Sequence, residues 1–261
     1  MKMNQISVCF AATVLLLFTS CATLYKPNVV HSPLLKEKGE MHVAGALSLV
    51  GSANTNLQGA VALSENMGIM VNLMQHSRNR YYEAAEEKLR MFAGEAGIGY
   101  FKKLGKDGEF LFQSYGGFGM GRSRAVIENT SQSDFPEMSG KYLNFFIQPG
   151  IAYVSKHIDV AFDTRLNRVQ MFDVRAYLYE TFEWWNTDYT LYNDTTLSFA
   201  ILEPTLTIKA GSPAFKGIFQ LGATLPVYHP NEYYSVSSSD IFAPFMKMSI
   251  GIEYRFGTMK D

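Results

Sequence analysis

The sequence predicts an all-β fold: an antiparallel up-and-down transmembrane β-barrel of about ten strands, with short periplasmic turns and long extracellular loops. Three observations predict it. From Glu40 onward, apolar residues recur at every second position, the period of a strand with two unlike faces. Each such stretch runs for about ten residues, the length that crosses a bilayer at a tilt. The connections alternate short and long, as they do when one end of a barrel faces the periplasm and the other the exterior.

Composition sets the outer bounds. Of the 261 residues, 18% are charged and 14% aromatic, unlike the charge-rich, aromatic-poor make-up of a disordered chain. A formal net charge of −1 offers no basic field, which excludes nucleic acid as a partner. Beyond the N-terminus no stretch reaches the ~20 apolar residues of a spanning helix.

Residues 1–20 have the layout of a secretory signal, with Lys2 followed by the apolar run Ile6–Phe18 and the small pair Thr19-Ser20. The run is too short to span a membrane. Phe18-Thr19-Ser20-Cys21 resembles a bacterial lipobox, although Phe18 stands where that pattern takes a smaller aliphatic. The resemblance implies a lipoprotein: Cys21 acylated with palmitate-type chains and first in the mature chain. The alternative is a plain signal peptide cut near Ser20 or Ala22. Cys9 and Cys21 are the only cysteines, so cleavage leaves Cys21 without a disulfide partner. Ala22 follows it where an acidic residue would retain the protein at the inner membrane. By resemblance to enterobacterial sorting, that implies the lipoprotein sorting machinery as a partner and the outer membrane as destination. Residues 21–39 contain Pro27 and Pro33 and no clean period, and read as a periplasmic tether.

The barrel is predicted over residues 40–257, with 258–261 as a tail. Met41, Val43, Leu47 and Leu49 form the first apolar face, opposite Glu40, His42 and Ser48. Leu57-Val61-Leu63, Ile69-Val71-Leu73 and Phe92-Ala96-Ile98-Tyr100 continue the series. "EFLFQSYGGFGMG" is apolar on both faces and is less clear. Leu143-Phe145-Ile147-Ile151, Val160-Phe162-Leu166, Leu202-Leu206-Ile208, Phe219-Leu221-Leu225-Val227 and Met246–Phe256 follow. "SENM", "LGKDGE", "SKHI" and "GSPAFKG" are short turns. Residues 75–90, 120–140, 170–196 and 228–240 are expected as long outer loops, while "GSANTN" is a short one. Residues 81–90 could form a short helix or a strand extension. Pro149, Pro204 and Pro226 should lie at rims or bulges, because proline cannot donate to a ladder. A lipid on Cys21 would place the N-terminus in the periplasm, and ten crossings would return the C-terminus there.

The apolar faces carry no charge within the strand bodies, where a Lys or Arg facing lipid would cost about 2–4 kcal/mol. The opposite faces carry Glu40, His42, Glu95, Asp163, Arg165, Glu203, Lys209, Lys247, Glu253 and Arg255. These are expected as a lumen network, with Arg255 near Glu40 and His42 and Arg165 reaching Glu203. A ten-stranded barrel is barely wider than its own side chains. Buried charges must also be paired. Both points favour a plug of ion pairs over a charged pore constriction. A soluble lipid-binding barrel would instead point its apolar faces inward.

Little else suggests chemistry. His42, Ser48 and Glu40 are the one candidate triad, but His42 and Ser48 stand roughly 20 Å apart along a regular strand. His76, His157 and His229 have no readable partner. Outer-membrane proteases have a similar architecture, yet their paired acids beside a rim histidine are not recognisable here. No metal-ligand spacing or phosphate loop appears, so no cofactor is expected. Residues 177–194 are strongly aromatic, with Trp184, Trp185, Tyr189 and Tyr192. They suit an interface girdle, or a platform for a glycan or lipid.

The lipobox, the lead-in "YKPN…SPLLKEKGE" and the opening "LQGAVALSENMGIMVNL" together resemble lipid-anchored outer-membrane barrel proteins of Bacteroidota. That resemblance implies a location more than an activity. "IGIEYRF" resembles the terminal aromatic strand read by the outer-membrane assembly machinery, although "GTMKD" follows it here. The expectation is a non-enzymatic envelope protein among outer-membrane lipids: structural, surface-binding, or at most a narrow conduit. The alternatives are a barrel-embedded lipid-modifying hydrolase or acyltransferase, and the soluble periplasmic lipid-binding barrel.

Overall fold

The computed structural model describes residues 25–49, 54–82, 85–105, 108–129, 137–179, 189–228 and 246–257. They form β1 (Met41–Ser48), β2 (Asn54–Ala62), β3 (Met67–Tyr82), β4 (Ala85–Leu104), β5 (Phe110–Asn129) and β6 (Glu137–Val154). The series continues with β7 (Ile158–Tyr179), β8 (Tyr189–Gly211), β9 (Phe215–Ala223), β10 (Leu225–Tyr228) and β11 (Met246–Phe256). Every pairing is antiparallel. The ring β1 to β9 closes through β11, which pairs with β9 on one side and β1 on the other. β10 prolongs β9 along β8 after a lapse at 223–224, so the wall has ten staves. Following the registers once around displaces the path by about 12 residues along β1, a stagger that tilts the strands by roughly 40°.

The alternation explains the wall. In its lower band, toward the short turns, outward positions are apolar: Phe110, Phe112, Phe118 and Met120 on β5, or Leu143, Phe145, Ile147 and Ile151 on β6, all exposed. Inward positions there are polar and buried, as with Gln113, Asn144, Gln148, Asp163 and Glu203. The band is about ten residues tall, which at this tilt is roughly the 25 Å of an outer-membrane hydrocarbon layer. Aromatic rings collect at its turn end, where Phe110 meets Tyr153 edge-on at 5.7 Å and Tyr254 meets Phe256 at 4.5 Å.

Above the band the phase of the pattern inverts. On β4 the apolar residues Phe92, Ala96, Ile98 and Tyr100 face out, but Leu89 and Met91 face in while Arg90 faces out. On β8 the switch falls between Ile201, buried, and Leu202, on the outer side. The wall there behaves like a water-facing sheet, with an apolar interior of Met74, Leu89, Met91, Ala125, Val169, Met171, Leu197 and Phe199.

This upper wall corrects the expected loops. Most of 75–90, 120–140 and 170–196 is strand, because β3 to β8 run for 16 to 23 residues. Residues 81–82 and 85–90 are strand, not helix. On the β1, β2, β9 and β11 side the described strands reach to near the top of the band. Pro149 and Pro204 are also not at rims. They sit on the outer face within the wall, flanking β7 at Thr164. The β6–β7 ladder skips 148 and 149, and the β8–β9 pairing lapses opposite Pro204, so each missing donor is met by a local gap in pairing.

Candidate functional site

The lumen is the candidate site, and its main occupant is the segment expected as a tether. Tyr25, Asn28, Val30, His31, Ser32, Leu34 and Leu35 are each at most 3% exposed. The segment is therefore inside the barrel, not beneath it. Its lower end is anchored by Leu34 and Leu35, packed with Phe101, Leu111, Tyr115, Phe146 and Val154. Gly39, at φ +85°, makes the turn that reverses the chain into β1, a conformation open to glycine. Across that turn the Lys36 amide donates to Glu40 Oε2 at 2.6 Å. The upper end is Tyr25, whose ring meets Tyr142 edge-on at 5.0 Å and Phe199 at 5.4 Å. Its hydroxyl accepts from Asn167 Nδ2 at 2.9 Å.

Between these anchors the wall grips the backbone. Gln58 donates to the Val29 carbonyl at 3.0 Å, Gln220 to that of Val30 at 2.8 Å, and Gln148 to that of His31 at 2.7 Å. Lys209 donates to the Ser32 carbonyl at 2.6 Å. The Val29 and Leu34 amides donate in return to Asn56 and Gln113. A buried segment without regular structure must satisfy its polar groups by some route, and wall side chains supply it here. The contacts climb from Gln113 near the turn end to Asn167 and Tyr142 near the top of the band, so the chain rises through the lumen from Leu35 to Tyr25.

The ten charged and histidine positions expected in the lumen all face it, and they fall into two groups. In the lower group Arg255 bonds Glu253 at 2.7 Å and Asp159 at 2.6 Å, and Lys216 bonds Asp159 at 2.8 Å. Lys209 bonds Glu253 at 2.5 Å, and His42 bonds Glu40 at 2.8 Å. Arg255 lies opposite His42 in register, but its carboxylate partners are Glu253 and Asp159 and not Glu40. In the middle group Arg165 pairs with Glu95, stands 3.7 Å from Glu203 and caps the Phe146 ring at 4.3 Å. Lys247 pairs with Glu203. Asp163 accepts from Gln113 at 2.8 Å.

Sequence reasoning missed Asp159 and Lys216. Each stands at a strand start beside a short turn, where an exposed position was as plausible. At the rim, burial pushes the Glu40 carboxyl up. The bonds from His42 and the Lys36 amide and the nearby Arg255 charge outweigh it, and hold the group below the ordinary carboxylate range.

The candidate triad does not assemble: Glu40 and His42 touch, while Ser48 is at the far end of β1. Among the described residues no three His, Cys, Asp or Glu side chains converge on a point. Cys21, Trp184 and Trp185 lie outside the described residues, as do the signal segment 1–20 and the tail 258–261. Tyr189 and Tyr192 belong to the outer part of β8.

This is an outer-membrane-type β-barrel. No family model and no curated protein matches the chain. Among solved structures, the translocator domain of the autotransporter NalP from Neisseria meningitidis is similar at 13% identity and a TM-score of 0.44, over 84% of this chain and 87% of that one. The transport unit of the autotransporter AIDA-I from Escherichia coli aligns over 95% and 97% of the two chains, at 10% identity and a TM-score of 0.23. The fold rests on the registers of the chain itself.

Proposed function

We propose that this chain is a non-enzymatic outer-membrane protein whose barrel is held closed by its own N-terminal segment. The observation that carries the proposal is the buried stretch Tyr25–Leu35, gripped through its backbone by side chains from around the wall. The outward apolar band and the signal-like residues 1–20 support the membrane. A charged lumen and an apolar exterior are the reverse of what a soluble lipid-binding barrel needs. The upper wall of β3 to β8 then stands outside the cell.

Acylation of Cys21 rests on the lipobox resemblance, and within this proposal its side changes. Cys21 precedes Tyr25 by four residues, about 14 Å of extended chain. Tyr25 stands roughly 25 Å above the turn end of the wall, given the rise per strand residue and the tilt. Acyl chains on Cys21 therefore belong on the long-strand side and not with a periplasmic tether. Fatty-acid labelling lost in Cys21→Ala tests the modification.

Planar-bilayer recording tests the closure. The full chain should insert without sustained conductance, and a variant lacking residues 25–35 should conduct. Sustained channels from the full chain would overturn the closed lumen. Failure of the folded full chain to insert into bilayers would overturn the membrane assignment.

A further inference from the structure

The middle of the lumen holds a carboxylate that the ion pairs leave out. Asp163, on β7, is fully buried and faces the bore. The lumen carboxylates Glu40, Glu95, Asp159, Glu203 and Glu253 each have a basic side chain against them. Asp163 has none among the described residues. Lys209 acts on it only from a distance, because that ammonium is bound to Glu253 at 2.5 Å and to the Ser32 carbonyl at 2.6 Å. Asp163 Oδ1 accepts from Gln113 Nε2 at 2.8 Å. Its Oδ2 makes no hydrogen bond, although Ser32 and Gln148 lie beside the carboxylate. Gly150 stands opposite in register, and a Cβ there would collide with Oδ1. Gln148 adds a second orphan. Its Nε2 is identified by the 2.7 Å bond to the His31 carbonyl, and its buried Oε1 has no partner. Gln113 differs: its Oε1 takes the Leu34 amide, and its Nε2 serves both Asp163 and the Ser32 hydroxyl at 3.0 Å. A buried carboxylate needs a counter-charge, and a buried acceptor needs something positive to accept from.

We propose that Asp163 holds a monovalent cation of the sodium type, with Gln148 Oε1 and the Ser32 hydroxyl oxygen as further ligands. The inference rests on the closed-lumen reading above and adds an ion to the closure. Donor chemistry is the first reason. Carboxylate, amide and hydroxyl oxygens are hard ligands, which suit alkali and alkaline-earth ions. Charge is the second. One carboxylate balances one positive charge, whereas a divalent ion would leave a buried charge uncompensated. Position is the third. Ser32 belongs to the threaded segment, Gln148 to β6 and Asp163 to β7, so one ion would tie the segment to two adjacent staves. The tie would lie between the lower anchor at Leu34 and Leu35 and the upper one at Tyr25.

Urea unfolding of the full chain in phospholipid vesicles tests this, in sodium chloride and in tetramethylammonium chloride at equal ionic strength. Tetramethylammonium screens charge as sodium does but is too large to fit between packed side chains. In about 100 mM sodium, a site that half-saturates at about 10 mM should raise the folded-to-unfolded ratio about tenfold over tetramethylammonium. Asp163→Asn should remove that dependence and fold in either salt, as heat-modifiable mobility shows. Gly150→Ala, which drives the carboxylate off its position, is the second variant and should weaken the dependence. Asp173→Asn, on the exposed side of β7, should keep it. Equal stability of the wild type in the two salts would overturn the proposal, as would a sodium dependence that survives in folded Asp163→Asn. A wild type indifferent to sodium but stabilised by acid, with the acid effect lost in Asp163→Asn, would overturn it in favour of a protonated carboxyl. The bilayer recording does not enter these readouts, so failure of the ion site and failure of the closure are told apart.

Discussion

Replacing Arg165 by leucine tests the central ion network most directly. Arg165 is fully buried and serves two carboxylates, Glu95 and Glu203. The two would fare differently. Glu203 keeps Lys247. Glu95 loses its cation and keeps neutral amides, among them Asn72 at 3.3 Å and Asn144 at 3.0 Å. One carboxylate is thus left buried and uncompensated, which costs about 3–5 kcal/mol. The lost ring contact with Phe146 adds on the order of 1 kcal/mol. The folded-to-unfolded ratio should fall more than about a hundredfold. Urea unfolding in phospholipid vesicles, followed by heat-modifiable mobility, reads this directly. The companion variant is Arg165→Leu/Glu95→Gln, which removes the stranded charge and should recover at least about half of the loss. Two results would refute the reasoning. One is Arg165→Leu within about 1 kcal/mol of wild type, and the other is Glu95→Gln adding its own loss instead of restoring stability.

Other perturbations reach different parts of the molecule. Ile147→Arg, on the outer face of β6 within the band, should cost about 2–4 kcal/mol in vesicles, whereas Gln75→Arg above the band should cost little. Comparable losses at both sites would place the lipid boundary elsewhere. Gly99→Val should destabilise by about 1–3 kcal/mol, because a Cβ at that position would stand 2.3 Å from the Tyr115 ring. A neutral effect in the same unfolding assay would mean that the ring can move aside. Tyr25→Ala should loosen the top of the threaded segment, read as faster protease cleavage within residues 25–35 of the folded barrel. Unchanged protection would mean the lower anchor suffices. Glu40 has a folded pKa below its ordinary value, so its contribution is present above that value and is lost as pH falls through the folded one. Acid should therefore loosen the turn at residues 36–40 in the wild type and have less effect in Glu40→Gln, as amide hydrogen exchange of that turn would show.

Much of the lower barrel was legible because lipid imposes a strict rule on one face. Where Ile147 or Phe118 meets acyl chains, its neighbours must be inward and polar, so period two gives both strand and face. That rule lapses above the band. Leu89 and Met91 are apolar because they face in, and Phe92 because it faces out. A pattern that changes phase within one strand reads as a loop. The threaded segment left even less trace. Wall amides recognise its carbonyls, which every residue has, so "YKPNVVHSPLL" needs no period. Its only signal was apolar weight at Val29, Val30, Leu34 and Leu35 in a supposed tether. Within the network, Arg165 with Glu203 followed from strand adjacency. The dominant contact to Glu95 did not, because it spans the bore between strands that are not neighbours.

The seam between β1 and β11 has a consequence for how the molecule is made. β1 continues directly from the segment that fills the bore, and it is also the stave that closes the wall. Closing the wall and filling the bore are therefore acts of one continuous stretch of chain: whatever brings β1 to β11 also brings Leu34 and Leu35 to the mouth of the lumen.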